Sequence, residues 1–391
     1  MIIDIKETEV VKIASDLIRI PSYSHTENQE KRVAEYIYNL LKEENIPVEL
    51  KEVLKGRFNV TAYLKGEGGG KSLMLSGHLD TVPPYDMENP FTPVLKDGVL
   101  YGRGACDMKG PVSAMLLSLI ALKRSGISLK GDVFFTGVID EEEKGKGAEH
   151  LVKNGPFTDG AIIGEPTDMK IAVGHKGLEW IKVKVTGKKV HGGRMDEGIN
   201  AIEMASKFIE RIYDEYVPKL KERHHEILGQ PTINIGKITG GDQPSTVPGE
   251  CIIEIDRRWI PIEAREQVYE ELNQIINDLK LEVPGFNADL SDMFTEDNLL
   301  SHKPFFTDKD DPIVKAAKEA LTGKNKNTEE TVFPAWSDAG TIAAYTNTKC
   351  IIMGPGDLRL AHSKDESIKV KDLTEAARIY TEIIMDYCEK A

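Results

Sequence analysis

The sequence predicts an α/β protein, a mixed sheet flanked by helices, interrupted by a smaller inserted α+β domain. Apolar strand-like runs alternate with helical periodicity over residues 1–178 and again over 297–391. Over 179–296 the texture changes to strands in which apolar and charged residues alternate. At about 150 residues per domain, 391 residues accommodate two to three such units.

Taken in order, Val10, Val11, Ala14, Leu17 and Ile18 recur at helical spacing, and so do Val33, Tyr36, Ile37, Leu40 and Leu41. Strand-like runs follow at Asn59–Leu64, Ser72–Ser76 and Val133–Val138, with a helix over Val112–Arg124 between the last two. A short run, Ala161–Gly164, ends in Glu165. In such a sheet, covered on both faces, ligands are expected at the strand ends. Then Ile181, Val183 and Val185 alternate with Lys182 and Lys184, the pattern of a strand half exposed to water. Ile202, Phe208, Ile209 and Ile212 are read as the apolar stripe of a helix. Strands Thr232–Thr239 and Cys251–Arg257, a helix over Glu263–Leu279 and a strand near Ala288–Phe294 complete a βαββαβ order. From Asp311 the first texture resumes, with a helix to Leu321, a strand at Cys350–Met353 and a closing helix from Val370.

Composition narrows the classes of function. Hydrophobic content of 40% with 29% charged residues is that of a globular chain, which excludes a disordered or fibrous one. Fifty Lys+Arg against 64 Asp+Glu give a net charge of −14, which speaks against nucleic acid because phosphates would go unneutralised. No window approaches the roughly 18 uninterrupted apolar residues of a membrane span. The first residues lack a basic start followed by an apolar core, so no signal peptide is expected. Cys106, Cys251, Cys350 and Cys388 lie far apart without a CxxC pair, which suits a reducing cytoplasm and excludes a thiolate metal site.

The chemistry-bearing residues lie at strand ends. Ser76-Gly77-His78-Leu79-Asp80 closes an apolar strand and brings His78 and Asp80 out together; a ligating imidazole commonly hands its second N–H to a carboxylate. Gly102-Arg103-Gly104-Ala105-Cys106-Asp107-Met108-Lys109-Gly110 is a tight loop leading into a helix, where Asp107 either projects into a cleft or caps the helix. Asp140-Glu141-Glu142-Glu143 follows Val133–Ile139; four adjacent acids repel unless solvated or relieved by a cation. Glu165 is a further terminal carboxylate, and Gly354-Pro355-Gly356 leads to Ala361-His362-Ser363-Lys364-Asp365-Glu366. Each pattern is weak singly. Together His78, Asp107, Glu142, Glu165 and His362 form a mixed N/O set without sulfur, suited to zinc, with cobalt or manganese as substitutes. Five ligands exceed one catalytic zinc but suit two ions about 3.5–4 Å apart sharing one carboxylate. The spare acid of the Glu141-Glu142 pair then serves as general base.

The segments SGHLDTVP, YGRGACDMKG, DEE, GEPT and GPGDLRLAHSKDE, in that order along the chain, resemble the M20-type zinc aminoacylase and peptidase family. That family contains acetylornithine deacetylase, succinyl-diaminopimelate desuccinylase and a glutamate carboxypeptidase. The resemblance implies a zinc-exopeptidase-like catalytic fold with a ferredoxin-like dimerisation insert. It implies that His78, Asp107 and Glu165 hold one zinc and that Asp107, Glu142 and His362 hold the other. Asp107 would be the bridge, Glu141 the base, and Asp80 the residue that orients His78. It also implies a non-proline cis peptide between Asp107 and Met108.

Within the insert, Val190-His191-Gly192-Gly193 is similar to the family segment whose histidine reaches the active site of the partner subunit in a homodimer; there it would stabilise the oxyanion. Arg258 aligns with the arginine that grips the substrate carboxylate; its bland alternative is a strand-end ion pair with Glu254 or Asp256. The spacing from Gly354 to His362 resembles that of the acetylornithine deacetylases, so Gly354 is placed beside the substrate. Trp336, where the family has small residues, would narrow or reshape the acyl pocket. The expected activity is removal of an N-acyl group from an amino acid through a water activated by two zinc ions. A dipeptidase or carboxypeptidase with the same centre is the rival, and a non-catalytic binding relative the remote alternative. His25, His150, His175, His224, His225 and His302 receive no role.

Overall fold

The computed structural model describes residues 3–294 and 300–391, which leaves the expected 296/297 domain junction outside the described residues. The chain divides into two compact units, one of residues to Gly174 together with Phe306–Ala391, the other His175–Phe305. The second unit starts earlier and ends later than the texture change suggests, because Leu178 donates its N–H to the His302 carbonyl.

The first unit is built on an eight-stranded mixed sheet. Its order is Val48–Leu54, Arg57–Leu64, Val133–Val138, Leu73–His78, Gly160–Ile163, Lys349–Ile352, Ile171–Ala172, Glu330–Thr331. The four central strands, from Val133–Val138 to Lys349–Ile352, run parallel. They are buried almost throughout, which is why they read as mainly apolar runs without alternation. The outer strands are paired antiparallel at one side, with Val48–Leu54 on Arg57–Leu64 and that on Val133–Val138.

Helix Lys109–Ser125 is apolar on all sides because it is buried on all sides, from Lys109 to Leu122. It packs against the closing helix Val370–Tyr387, helix Glu7–Ile18 and the sheet. Its start is pressed onto the strand ends. A Cβ on Gly77 would lie 2.7 Å from Met108 Cε, and one on Gly164 2.4 Å from Met115 Cε. Glycine at these two positions leaves room for the Met108 and Met115 side chains where the loop carrying Asp107 meets the strand ends.

The second unit carries an antiparallel sheet in the order Thr232–Gly240, Glu250–Trp259, Gly177–Thr186, Ala288–Asp292. Helices Ala201–Arg211 and Arg265–Glu282 supply the apolar partners of Ile181, Val183, Val185, Cys251, Ile253 and Ile255. One expectation is corrected here. Ile202 is 40% exposed and is not part of the buried stripe, which consists of Ala201, Ala205, Phe208 and Ile212 at spacings of four, three and four. At about 100° per residue, Ile202 points well away from Phe208, six positions on. The stripe is covered by the chain's own sheet, so it does not itself demand a partner. Among the described residues no helix is long and apolar enough to cross a membrane.

Candidate metal centre

Neighbouring parallel strands deliver the site. His78 ends Leu73–His78; Asp140, Glu141 and Glu142 follow Val133–Val138; Glu165 follows Gly160–Ile163; and the turn after Lys349–Ile352 leads on to His362. All these strands point their carboxyl ends the same way, where open α/β sheets collect ligands. Asp107 arrives from the loop ahead of helix Lys109–Ser125, and the peptide joining it to Met108 is cis. Asp107 does not cap that helix, whose cap position is Met108 and lacks a side-chain bond.

The distances define two groups that share one residue. His78 Nε2 lies 3.0 Å from Asp107 Oδ1 and 3.8 Å from Glu165 Oε1. His362 Nε2 lies 3.3 Å from Asp107 Oδ2 and 3.1 Å from Glu142 Oε1. Within each triad, the donor atoms all fall within 4.8 Å of one another. Each Asp107 oxygen therefore faces a different histidine.

Asp80 does two jobs. Its backbone carbonyl accepts from His78 Nδ1 at 3.0 Å, whereas its carboxylate is 3.6 Å away. The ring is thus oriented mainly by the main chain of Asp80, with Nε2 turned to the acids. The carboxylate instead accepts from the N–H groups of Glu141 and Glu142, at 3.2 and 3.0 Å.

So many acids in one buried place oppose their own ionisation. Burial and the Asp107 charge push Glu165 well above the usual carboxylate range, and burial with Glu165 does the same to Glu141. Glu142 is raised by burial and by Asp107. Asp107 moves the other way: burial would raise it, but the hydrogen bonds of His362 and His78 hold it well below. The Asp107 and Glu142 contacts raise His362 to about 10. Burial would depress His78, yet Asp107, Asp80 and Glu165 hold it well above its ordinary value. Glu165 Oε1 is buried without a hydrogen-bond partner among the described residues. An orphaned carboxylate oxygen amid clustered acids and two imidazoles fits divalent cations, which would relieve the repulsion and give that oxygen a partner.

The remaining expected residues lie elsewhere or are already engaged. Gly354 donates its N–H to Thr167 Oγ1 and accepts from the N–H groups of Thr167 and Met169. A Cβ there would lie 2.1 Å from the Gly164 carbonyl oxygen, so Gly354 lets two strand ends approach. Trp336 is half-buried, its indole 4.0 Å from where a Cβ on Gly145 would stand. In the second unit, Arg258 makes a two-pronged ion pair with Asp256, at 2.8 and 2.9 Å. His191 is exposed, and its Nδ1 accepts the Gly193 N–H at 3.0 Å, which leaves Nε2 as the protonated, outward nitrogen.

Sequence reasoning gave no role to several buried groups around the centre. Arg103 and Glu366 form an ion pair; Arg57 bridges Glu30 and Asp140; Lys109 donates to the Ile20 carbonyl at 2.6 Å. Arg103 and Glu366 stand within the quoted motifs, but no local pattern joins residues so far apart. Asp338, two residues after Trp336, is buried, its Oδ1 has no hydrogen-bond partner among the described residues, and burial pushes it up to about 7.

A mixed sheet whose parallel centre carries histidine and carboxylate triads joined through one aspartate is that of a metal-dependent hydrolase. The chain belongs to peptidase family M20/M25/M40, whose model matches residues 74–386. It is 31% identical over 414 residues to an uncharacterized metallohydrolase of Methanocaldococcus jannaschii, covering 96% of this chain and 98% of that one. It is 31% identical over 340 residues to an acetylornithine deacetylase of Myxococcus xanthus, covering 85% and 84%. A crystal structure of a Staphylococcus aureus tripeptidase superposes with a TM-score of 0.80 at 23% identity, over 98% of this chain and 99% of that one. Members of the family use divalent metals, and this chain is a hydrolase of that family.

Proposed function

We propose that this hydrolase removes an N-acyl group from an amino acid or a derivative of one, of the acetylornithine deacetylase or succinyl-diaminopimelate desuccinylase type, using two zinc ions per chain. The supporting observation is the placement of Asp107, with one carboxylate oxygen toward His78 and Glu165 and the other toward His362 and Glu142. Zinc held by these residues would polarise the scissile carbonyl and make water acidic enough to attack it. Cobalt or manganese would suit the same donors.

The protein supplies the rest. Glu141, which belongs to neither triad, takes the proton of the attacking water and returns it to the leaving amine, the task of a carboxylate general base. Asp80 fixes both the His78 ring and the main chain of the Glu141-Glu142 pair. Arg258, released from Asp256, would grip the substrate carboxylate. His191 has the protonation a donor to a developing oxyanion requires, Nε2–H outward with Nδ1 occupied by Gly193. We assign it to the active site of the other protomer in a homodimer. Among the described residues the outer strand Thr232–Gly240 has no partner along one edge and is mostly exposed, and Ile238 is half exposed on it. Such an edge invites a second copy. Four buried thiols without a disulfide among them suit the reducing cytoplasm.

A dipeptidase or carboxypeptidase with the same centre is the second reading, favoured by Trp336 standing where an acyl pocket would need small residues. Assay of the zinc- or cobalt-loaded protein on N-acetylornithine, succinyl-diaminopimelate, other acyl amino acids and dipeptides tests the two. Turnover of dipeptides with none of the acyl amino acids would replace the first reading by the second.

A further inference from the structure

The buried pair Arg103–Glu366 is not itself among the proposed ligands, yet it touches the loop that carries Asp107, the residue next to His362 and the segment that follows His78 and Asp80. Both side chains are 1% exposed. Glu366 Oε1 accepts two main-chain hydrogen bonds, from Cys106 N at 2.9 Å and Asp107 N at 3.0 Å. Its other oxygen accepts from Arg103 Nη1. The same guanidinium donates to the Ser363 carbonyl at 3.4 Å, next to His362, and to the Pro84 carbonyl at 3.2 Å, on the segment after His78 and Asp80. The main chain repeats the link: Gly102 donates to the Glu366 carbonyl, and Ser367–Lys369 pairs antiparallel with Val99–Tyr101.

We propose that Glu366, held by Arg103, is a positioning residue that fixes the Asp107 main chain and the His362 segment, and so sets the spacing of the two metal positions. This rests on the two-ion reading above. A loop rich in glycine, Gly102-Arg103-Gly104, has no inherent shape. Two N–H groups converging on one carboxylate oxygen give it one, and a charged acceptor strengthens both bonds. Arg103 keeps that charge in place by opposing it, and its planar fork reaches several acceptors at once. The arrangement acts on the metal through the ligand's backbone, in the way residues beyond the direct ligands orient a metal site.

Two double variants separate this role from bulk stability. R103M/E366L removes both charges and the acceptor for Cys106 and Asp107; R103M/E366Q removes the charges but retains a carbonyl acceptor. Metal-free protein is titrated with Co²⁺ by calorimetry and by visible absorption, and the metal-free unfolding temperature is recorded for each. The expected result is a 10–100-fold weaker uptake of cobalt by R103M/E366L, with an altered cobalt spectrum. R103M/E366Q is expected to lose clearly less, about tenfold or under, since the acceptor for Cys106 and Asp107 is kept while the Arg103 contacts are lost. Equal affinities and spectra in the two variants would overturn the proposal, whatever their unfolding temperatures. If R103M/E366L fails to fold, amide exchange in the metal-free wild type decides. Slow exchange at Cys106 and Asp107 supports the role, and exchange at the rate of an open loop overturns it. A wild-type chain that takes up no cobalt overturns the two-ion reading itself, a result distinct from equal affinities in the variants.

Discussion

The carboxylate of Asp80 accepts a hydrogen bond from the backbone N–H of Glu142 at 3.0 Å, so the residue beside the His78 ring also sets the acidic loop. The Glu141 N–H reaches the same carboxylate. Replacing Asp80 by alanine therefore leaves two main-chain donors without their acceptor, although the carbonyl that orients His78 remains. Metal affinity of Asp80→Ala should fall by about 10–100-fold, with turnover falling further because Glu141 is also misplaced. Calorimetric titration alongside kinetics checks this; unchanged affinity and turnover would remove Asp80 from the centre.

Glu141 and Glu142 are neighbours with different assigned tasks. Glu142 lies 3.1 Å from His362 Nε2, whereas Glu141 belongs to neither triad. Glu141→Ala should lose about 10²–10⁴ in kcat with metal content retained. Glu142→Ala should lose or weaken one ion. Elemental analysis with kinetics reads both, and the reverse pattern would show that the two roles are exchanged.

His191 is assigned to the oxyanion of the other protomer's site. His191→Ala should cost about 10²–10³ in turnover with metals retained. Mixing it with Glu141→Ala under subunit exchange should restore part of the activity, because one site of the heterodimer keeps both groups. Proven exchange without recovery, or a fully active monomer, would leave His191 without that role.

The four thiols provide a check on the packing. Cys106, Cys251, Cys350 and Cys388 are buried, and desolvation raises each thiol above its ordinary range. A thiol reagent at neutral pH should label none of them in the native protein and all of them in denaturant. Rapid labelling of native Cys106 would mean that the loop before Asp107 is open.

Much of the fold was legible because its central strands are buried on both faces. Val133–Phe135 and Leu73–Leu75 open their strands with apolar runs, and Lys182 and Lys184 mark the half-wet strand of the second unit. Strand Val48–Leu54 escaped notice because it is only half-buried and carries Glu49, Lys51 and Glu52 among its apolar residues. The short pair Val94–Lys96 and Val99–Tyr101 is mostly exposed and has too few residues to show a period. Candidate ligands were legible because strand ends announce themselves in sequence. The bonds between Glu366 and the Asp107 loop were not, since 259 positions of sequence separate the two partners. Arg258 shows the opposite case: its pairing with Asp256 was the bland alternative at the sequence level, and it is the contact the structure contains.

Shared use of Asp107 carries the functional proposal, and metal stoichiometry tests it most directly. Metal-free wild-type chain and Asp107→Ala are each titrated with zinc or cobalt, bound ions are counted by elemental analysis, and amide hydrolysis is followed at each addition. Two ions per wild-type chain are predicted, with activity rising as they bind and vanishing in chelator, while Asp107→Ala binds neither ion tightly and is inactive. Full turnover by metal-free wild-type protein, or two tightly held ions in Asp107→Ala, would contradict it.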